Sequence, residues 1–223
     1  MNDLLLLGHL GLGDHLVTNA IVRHLAQSNN VTILVKHHNQ ASVDFMFRDL
    51  LNVETFGVAD DDEARAAENE ARTQGYSVFG LGRFGLPPFS SETWDRDFYR
   101  QAGIPFEACW NGFKVADQPS RELEIPKGDY IFIHENKETG CIMNRKRLPK
   151  KLKIISADRK RTDNIFDWWG IIKNAREIHV MESCFAILVD HTPSLKAQRV
   201  AVHDYMRKSI APAYINTFER IRS

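Results

Sequence analysis

The sequence is poor in cysteine and has no long apolar run. Its 223 residues include three cysteines, which are widely spaced and form no CxxC pair: Cys109, Cys141 and Cys184. Neither a disulfide framework nor a zinc ribbon is expected, and a reducing cytoplasm is the favoured compartment. No segment reaches the roughly 18 consecutive apolar residues of a membrane-spanning helix. The run Leu4–Leu7 has no basic segment before it and ends at Gly8, so we interpret it as a buried strand rather than a signal peptide.

The sequence also lacks net charge. Lys and Arg together number 29, as do Asp and Glu, so no global field recruits nucleic acid, membranes or acidic partners. The charge is unevenly distributed, because residues 137–161 contain ten basic and two acidic side chains, a local net charge of +8. This stretch is either solvated surface or a basic rim for a phosphorylated ligand, since Lys and Arg donors neutralise phosphate charge.

Apolar runs and helically spaced segments alternate along the chain. The run Leu4–Leu7, the helical spacing over 15–26 and the run Val31–Val35 predict a β-loop-α-β unit with parallel strands and a right-handed crossover. The alternation continues to residue 102 and restarts near Tyr130. We therefore expect an α/β protein of two Rossmann-like halves, each with a parallel sheet, and a central cleft at the carboxyl ends of the strands.

The restart of the pattern sets the predicted domains, which are residues 1–117, residues 118–206 and a C-terminal helix over 207–223. The polar stretch 117–122 is the candidate linker, and Tyr214 and Phe218 have helical spacing. The remaining predicted strands are 53–58, 76–79, 130–134, 153–156, 177–181 and 200–203. The remaining predicted helices are 41–51, 62–73, 94–102, 164–173 and 183–189.

A glycine-bearing turn, Gly8-His-Leu-Gly-Leu-Gly-Asp14, follows the first strand and opens the first helix. Gly11 and Gly13 allow a tight turn and close approach of a ligand to the backbone, and the helix start adds unpaired N–H groups. Asp14 at the mouth of this helix is either an N-cap or a general base placed in the cleft.

A nicotinamide-binding fold is a second interpretation of this turn. The glycines follow the order GxxGxG rather than GxGxxG, and the second strand ends in Lys36-His37-His38 instead of an acidic residue for the ribose. No Tyr-x-x-x-Lys pair is present. The pattern therefore favours another class of α/β protein over an NAD(P)-dependent dehydrogenase.

A second strand-to-helix junction lies near residue 182. The strand 177–181 runs directly into a helix whose predicted start contains Ser183, Cys184 and Phe185. Such a junction suits a phosphate group. Glu182 and Asp190 are separated by about 12 Å along a helix, so both could contact one extended nucleotide, for example at its sugar hydroxyls. The alternative is that Ser183 caps the helix and Asp190 is solvated.

A third group of polar residues follows the predicted strand 130–134. This strand delivers His134, Glu135 and Lys137 to the edge of the cleft, close to the basic stretch. His134 is either part of the ligand site or a hydrogen-bonded core histidine. The other histidine-rich spots, His37-His38 and His203-Asp204, have no metal-ligand spacing, so no metal site is expected.

The opening segment GLGDHLVTNAIVRHL, residues 11–25, resembles the start of lipopolysaccharide heptosyltransferases and related GT-B glycosyltransferases. The first loop of that family reads GDxxxTxxxxxLR. Gly13, Asp14 and Thr18 match it, whereas Arg23 precedes Leu25 in the altered order. In the family the loop aspartate is the proposed base that deprotonates the acceptor hydroxyl, and the resemblance implies that role for Asp14.

The segment that begins at Glu182 is similar to the donor site of GT-B enzymes, which holds the nucleotide diphosphate and ribose. The resemblance implies a cytoplasmic, metal-independent enzyme without a cofactor that moves a sugar from a nucleotide-sugar donor to a hydroxyl acceptor, by default a glycan. The last helix would cross back to the first domain. The implied donor-binding residues are Gly11, Gly13, His134, Lys137, Glu182, Ser183, Cys184, Phe185 and Asp190.

Several alternatives stay open beside this interpretation. The chain is shorter than a typical GT-B enzyme and has no Lys-x-Trp-Pro segment, so a non-catalytic module that binds a nucleotide sugar or a glycan is an alternative, and an NAD(P)-binding protein is a less favoured one. Glu182-x7-Asp190 matches half of the Glu-x7-Glu pattern of retaining enzymes, which leaves the stereochemical outcome open. A base in DNA as acceptor is disfavoured by the zero net charge.

Overall fold

Two α/β units, Met1–Gln118 and Pro119–Ser223, make up the chain, and each is built on its own parallel sheet. The computed structural model describes residues 1–86, 89–90, 92–116, 123–137, 139–206 and 211–222. The candidate linker 117–122 lies outside the described residues. Two separate parallel sheets confirm the predicted α/β class with two Rossmann-like halves.

The first unit contains a sheet in the order β3-β2-β1-β4. Leu4–Leu7 are all buried, because β1 is a central strand with β2 and β4 as parallel neighbours. Leu5 and Leu7 pack in one core with Ala64 and Ala71 of the long acidic helix. The strands are β1 (Asn2–Leu7), β2 (Asn29–Lys36), β3 (Val53–Val58) and β4 (Ser77–Gly80), and the helices are α1 (Leu12–Val17), α2 (Asn19–Leu25), α3 (Gln40–Phe47), α4 (Asp61–Thr73), α5 (Trp94–Ala102) and α6 (Ala108–Asn111).

The second unit contains a sheet in the order β6-β5-β7-β8-β9. Residues 130–133 and 178–181 of its two central strands are buried, as expected for strands with both faces covered. The strands are β5 (Tyr130–His134), β6 (Lys153–Ser156), β7 (Glu177–Met181), β8 (Arg199–His203) and β9 (Glu219–Ile221), and the helices are α7 (Trp169–Asn174) and α8 (Cys184–Asp190).

The helix predicted over 15–26 is two helices in the structure, α1 and α2, which meet at Thr18. The Thr18 backbone leaves the helical region (φ −85°, ψ 5°), and its hydroxyl donates to the Asp14 carbonyl oxygen at 2.9 Å. A threonine that bonds back to the preceding turn competes with the helix and bends it. The apolar spacing is continuous across this point, so the pattern alone did not reveal the break.

The C-terminal segment differs from the predicted helix. Within residues 211–222, Glu219–Ile221 form β9, which pairs parallel with β8 as the edge strand of the second sheet. Phe218 is buried just before this strand. The prediction of a helix here is therefore wrong for these residues, while its beginning at 207–210 lies outside the described part of the chain.

Candidate functional site

In each sheet the direction of winding reverses at one point between two adjacent strands. In an open parallel sheet, ligands bind beyond the carboxyl ends of the strands, where the direction of winding reverses. In the first sheet this point lies between β1 and β4, and in the second it lies between β5 and β7. The turn that ends in Asp14 follows β1, whereas His134 ends β5 and Ser183 follows β7. The three motifs identified in the sequence therefore lie at these two points.

Asp14 is the third residue of α1 and not its N-cap. The N-cap is Gly11, whose carbonyl accepts hydrogen bonds from the backbone N–H groups of Asp14 (3.0 Å) and His15 (3.2 Å). The Asp14 carboxylate folds back over Gly11 so closely that a Cβ at that glycine would collide with Oδ2. A side chain at position 11 would displace the Asp14 carboxylate, and the N-cap position considered for Asp14 belongs to Gly11.

His9 lies beside Asp14, with Nδ1 3.9 Å from the carboxylate oxygen Oδ1. The rings of Phe84, Phe89 and Phe98 surround the imidazole at centroid distances of 5.5 to 6.1 Å. Burial lowers the pKa of His9, and the nearby Arg83 charge lowers it further. The carboxylate therefore has a neutral imidazole as its neighbour rather than a cation.

A small pocket opens in front of α1 in the first unit. His15 on its wall is buried, which lowers the pKa of this histidine to about 4, and its Nε2 has no hydrogen-bond partner among the described residues. A buried polar atom without a partner is rare in native proteins. The pocket has a volume of about 10 Å³, which is the space of a single water molecule or hydroxyl group. The pocket is lined by Leu6, Gly8, His9, Asp14, His15, Thr18, Ile33, Leu34, Leu81 and Phe98.

Beyond the carboxyl ends of β5 and β7, the structure brings His134, Ser183 and Phe185 together. The Ser183 hydroxyl lies 3.0 Å from His134 Nδ1 and accepts a hydrogen bond from the Phe185 backbone N–H, so Ser183 is the N-cap of α8. The His134 ring stacks on the Phe185 ring at 4.3 Å. Burial lowers the pKa of His134 to about 3, with a further contribution from the Arg159 charge. Cys184, a half-buried cysteine that forms no disulfide, is the first residue of α8.

Cations surround this second crevice unevenly. Glu135 is buried, pairs with Arg145 at 2.6 Å, and accepts the Met143 backbone N–H at 3.0 Å. Lys137 lies 3.9 Å from the same carboxylate and is mostly exposed, at 73%. Arg159 acts on His134 through its charge. Part of the basic stretch thus orders the loop after β5, and Arg159 contributes positive charge near His134.

Glu182 and Asp190 are occupied by partners from the C-terminal segment. Glu182 is buried, accepts a hydrogen bond from the Tyr214 hydroxyl at 2.6 Å, and pairs with Arg220 of β9. Asp190 is also buried and accepts the backbone N–H groups of Ile215 and Asn216, each at 2.9 Å. The solvated alternative for Asp190 is therefore wrong, and both carboxylates hold the segment that precedes and forms β9.

The sequence motifs missed several of the residues that shape the two crevices. His9 belongs to the glycine turn, and the sequence pattern gives it no role of its own. Arg159 cannot be told apart from the other nine cations of the basic stretch. Tyr214 and Arg220 were missed as partners of Glu182, because the contacts join residues 32 and 38 positions apart. No local spacing reveals such contacts.

The described residues contain neither a metal-binding cluster nor a membrane-spanning helix. No group of three or more His, Cys, Asp or Glu side chains within these ranges is arranged to hold a metal ion. None of the helices in the same ranges combines the length and the apolar character needed to cross a bilayer.

Comparison with known proteins supports the resemblance at the level of fold. The structure is similar to that of TibC, a bacterial iron-containing dodecameric glycosyltransferase from enterotoxigenic E. coli H10407, with a TM-score of 0.50 and 13% identity over 91% of this chain and 58% of that chain. It is also similar to a glycosyl transferase family 9 protein from Veillonella parvula DSM 2008, with a TM-score of 0.47 and 9% identity over 100% of this chain and 87% of that chain. No family model matches the sequence, and no curated protein matches it.

The likeness to TibC shows that this chain shares its fold with a solved glycosyltransferase. This chain spans 58% of the length of TibC, and the identity is 13%. The comparison therefore establishes the architecture, and the activity has to be argued from the residues themselves.

Proposed function

We propose that this protein is a glycosyltransferase that moves a sugar from a nucleotide-sugar donor to an acceptor hydroxyl, with Asp14 as the general base. The observation that carries the proposal is the position of the Asp14 carboxylate, which follows β1 at the reversal point of the first sheet and lines a pocket together with the neutral imidazole of His9. A general base must keep its negative charge and reach the proton that it removes.

In the proposed reaction, the Asp14 carboxylate takes the proton of the acceptor hydroxyl. The acceptor oxygen then attacks the anomeric carbon of the donor sugar. The bond between that carbon and the diphosphate oxygen breaks, and its electron pair leaves with the nucleotide diphosphate. The leaving group gains negative charge, so cations near the donor lower the barrier.

We propose the donor site at the carboxyl ends of β5 and β7. His134, Ser183 and Phe185 form its floor, Cys184 lies beside them, and Arg159 and Lys137 supply positive charge for the diphosphate. Glu182 and Asp190 are assigned to holding the C-terminal segment and not to the ribose, because both are buried against that segment. The acceptor, a glycan hydroxyl, would enter the pocket in front of α1, and no metal or cofactor is required by this scheme.

The test begins with ligand binding. Thermal unfolding should be measured with UDP, GDP, ADP, CMP and NAD(P), because a ligand at 100 times its dissociation constant stabilises by about 2.7 kcal/mol. We expect a nucleoside diphosphate to raise the melting temperature, and the matching nucleotide sugar is then assayed for transfer and hydrolysis. A shift with NAD(P) alone would support the dinucleotide-binding interpretation instead.

The decisive variant is Asp14→Asn. It should leave the donor-induced melting shift unchanged and lower turnover by at least about a hundredfold, the scale of a lost general base. Asp3→Asn is the matched control, because Asp3 is an exposed carboxylate near the start of β1, the strand that precedes Asp14. The Asp3→Asn variant should retain full turnover. Donor binding without turnover in the unaltered protein would support the non-catalytic module, and normal turnover of Asp14→Asn would exclude Asp14 as the base.

A further inference from the structure

The imidazole of His9 lines the Asp14 pocket and has no role in the proposed reaction. Its Nδ1 lies 3.9 Å from the Asp14 carboxylate, and the two side chains are 28% and 24% exposed, respectively. Three phenylalanine rings hold the imidazole in edge-on contact. Its orientation toward Asp14 is thus set by packing on several sides.

The backbone after β4 determines which nitrogen of His9 carries the proton. The Arg83 backbone N–H donates to His9 Nε2 at 3.5 Å, so Nε2 is an acceptor, and a neutral ring must then carry its proton on Nδ1. Burial and the Arg83 charge lower the pKa of His9, while Asp61 raises it. The Arg83 and Asp61 charges act on the ring in opposite directions, Asp14 lies 3.9 Å from Nδ1, and burial keeps the ring neutral with Nδ1–H toward Asp14.

Gly82 makes this arrangement possible. Its backbone has a positive φ of 65°, and a Cβ at this position would lie 2.6 Å from His9 Nε2 and 2.7 Å from a Phe98 ring carbon. Only glycine adopts this conformation readily and leaves the space for the ring. The loop after β4 can therefore lie close to the His9 ring because position 82 carries no side chain.

We propose that His9 is a positioning residue for Asp14, with Nδ1–H facing the carboxylate across 3.9 Å and favouring the orientation that receives the acceptor proton. This inference rests on the proposed function. A neutral donor orients the carboxylate without cancelling its charge, whereas an imidazolium would pair with it and weaken it as a base. His9 is not itself the base, because its Nε2 accepts the Arg83 N–H and its ring is enclosed by aromatic side chains.

Substitutions at His9 separate this role from a packing role. An asparagine amide reaches the place of Nδ1, whereas a glutamine amide reaches the place of Nε2. His9→Leu should lower kcat by between about tenfold and a hundredfold, the cost of a misplaced catalytic group, with KM for both substrates nearly unchanged. His9→Asn should recover most of kcat, and His9→Gln should not. Equal losses in the Asn and Gln variants, or a change confined to KM, would overturn the proposal.

A second measurement does not depend on activity. Long-range ¹H–¹⁵N spectra of the intact protein at pH 7 should show His9 protonated on Nδ1 and not on Nε2. Asp14→Asn should move the Nδ1 resonance, and Asp3→Asn should leave it in place. Protonation on Nε2, or a spectrum insensitive to Asp14→Asn, overturns the positioning role even where transfer is observed. Absence of transfer with every donor refutes the proposed function, and the same spectrum still decides whether His9 holds Asp14.

Discussion

Asp14 and Glu182 both follow a central strand of a parallel sheet, yet their surroundings differ. Asp14 lies in a pocket 3.9 Å from a neutral imidazole. Glu182 is buried against Arg220 and the Tyr214 hydroxyl, both from the C-terminal segment. The comparison teaches that a carboxylate beyond the end of a central strand can serve the fold instead of chemistry, as Glu182 does through its contacts with Arg220 and Tyr214.

The two units should also differ in their response to acid, and this is the largest effect that we expect. Burial lowers the pKa of His15 to about 4, of His134 to about 3 and of His203 to about 4. A histidine whose folded pKa is lowered contributes stability that is present above its unfolded pKa and lost as the pH falls below it. Each should cost about 2 kcal/mol of unfolding free energy between pH 7 and pH 5.

His134 and His203 lie in the second unit and His15 in the first. The second unit should therefore lose more unfolding free energy as the pH falls. Urea unfolding at pH 7 and pH 5 measures the total loss, and amide hydrogen exchange at both pH values locates it. Equal unfolding free energies at the two pH values would contradict the assigned burial of these rings.

The next effect concerns the partner of Glu182. Arg220→Met removes the cation from a buried carboxylate whose side chain is 5% exposed, and this should lower the unfolding free energy by about 3 kcal/mol. Arg222→Met is the matched control, because Arg222 is 83% exposed and 3.9 Å from Asp204, and should change stability by less than about 0.5 kcal/mol. Equal results for the two variants in urea unfolding would show that Glu182 is not held by Arg220.

A smaller loss is expected at the other anchor of the C-terminal segment. Asp190→Ala removes the acceptor for the backbone N–H groups of Ile215 and Asn216 and should lower the unfolding free energy by about 2 kcal/mol, the scale of hydrogen bonds to a charged group. Asp190→Asn should cost less, because an amide oxygen still accepts one of them. If Asp190 instead binds the ribose, its substitution should weaken nucleotide affinity with little change in stability.

The smallest effect tests the cations of the donor crevice. Lys137→Glu should weaken nucleoside diphosphate binding a few-fold and leave nucleoside binding unchanged, because only the former carries phosphates and an exposed charge is worth about 1 kcal/mol or less. Arg159→Glu should have the larger effect, since the Arg159 charge acts on His134 whereas Lys137 lies beside the Glu135 carboxylate. Calorimetric titration of both ligands distinguishes the two variants. Equal weakening of nucleoside and nucleotide would place the phosphates elsewhere.

The glycosyltransferase proposal and the stability predictions can fail separately. The acid response and the Arg220 and Asp190 variants test contacts within each unit, and they hold for any function. Asp14→Asn and the His9 variants test the chemistry. If the stability predictions hold and the activity predictions fail, the protein would be a stable binding module with the same fold.

Secondary structure was predictable wherever a short apolar run or helical spacing had clear ends. The strands 53–58, 130–134, 153–156 and 177–181 and the helix 94–102 have the predicted bounds. Helix 94–102 ends at Gly103 with a positive φ of 69°, a terminator visible in the sequence. The short helix Ala108–Asn111 has too few residues to show a period and was missed. Local patterns work where local forces decide the structure.

The sequence by itself determined the α/β class, the two parallel sheets and the glycine turn that carries Asp14, because burial of apolar runs and the geometry of short turns depend on neighbouring residues. Tertiary structure alone decided that His9 faces Asp14, that Ser183 meets His134, and that Glu182 and Asp190 serve the C-terminal segment. It also made residues 219–221 a strand, because a free sheet edge beside β8 offers backbone partners that no helical spacing of Tyr214 and Phe218 can outweigh. Contacts between distant residues depend on which elements pack together, and local sequence patterns carry no record of that choice.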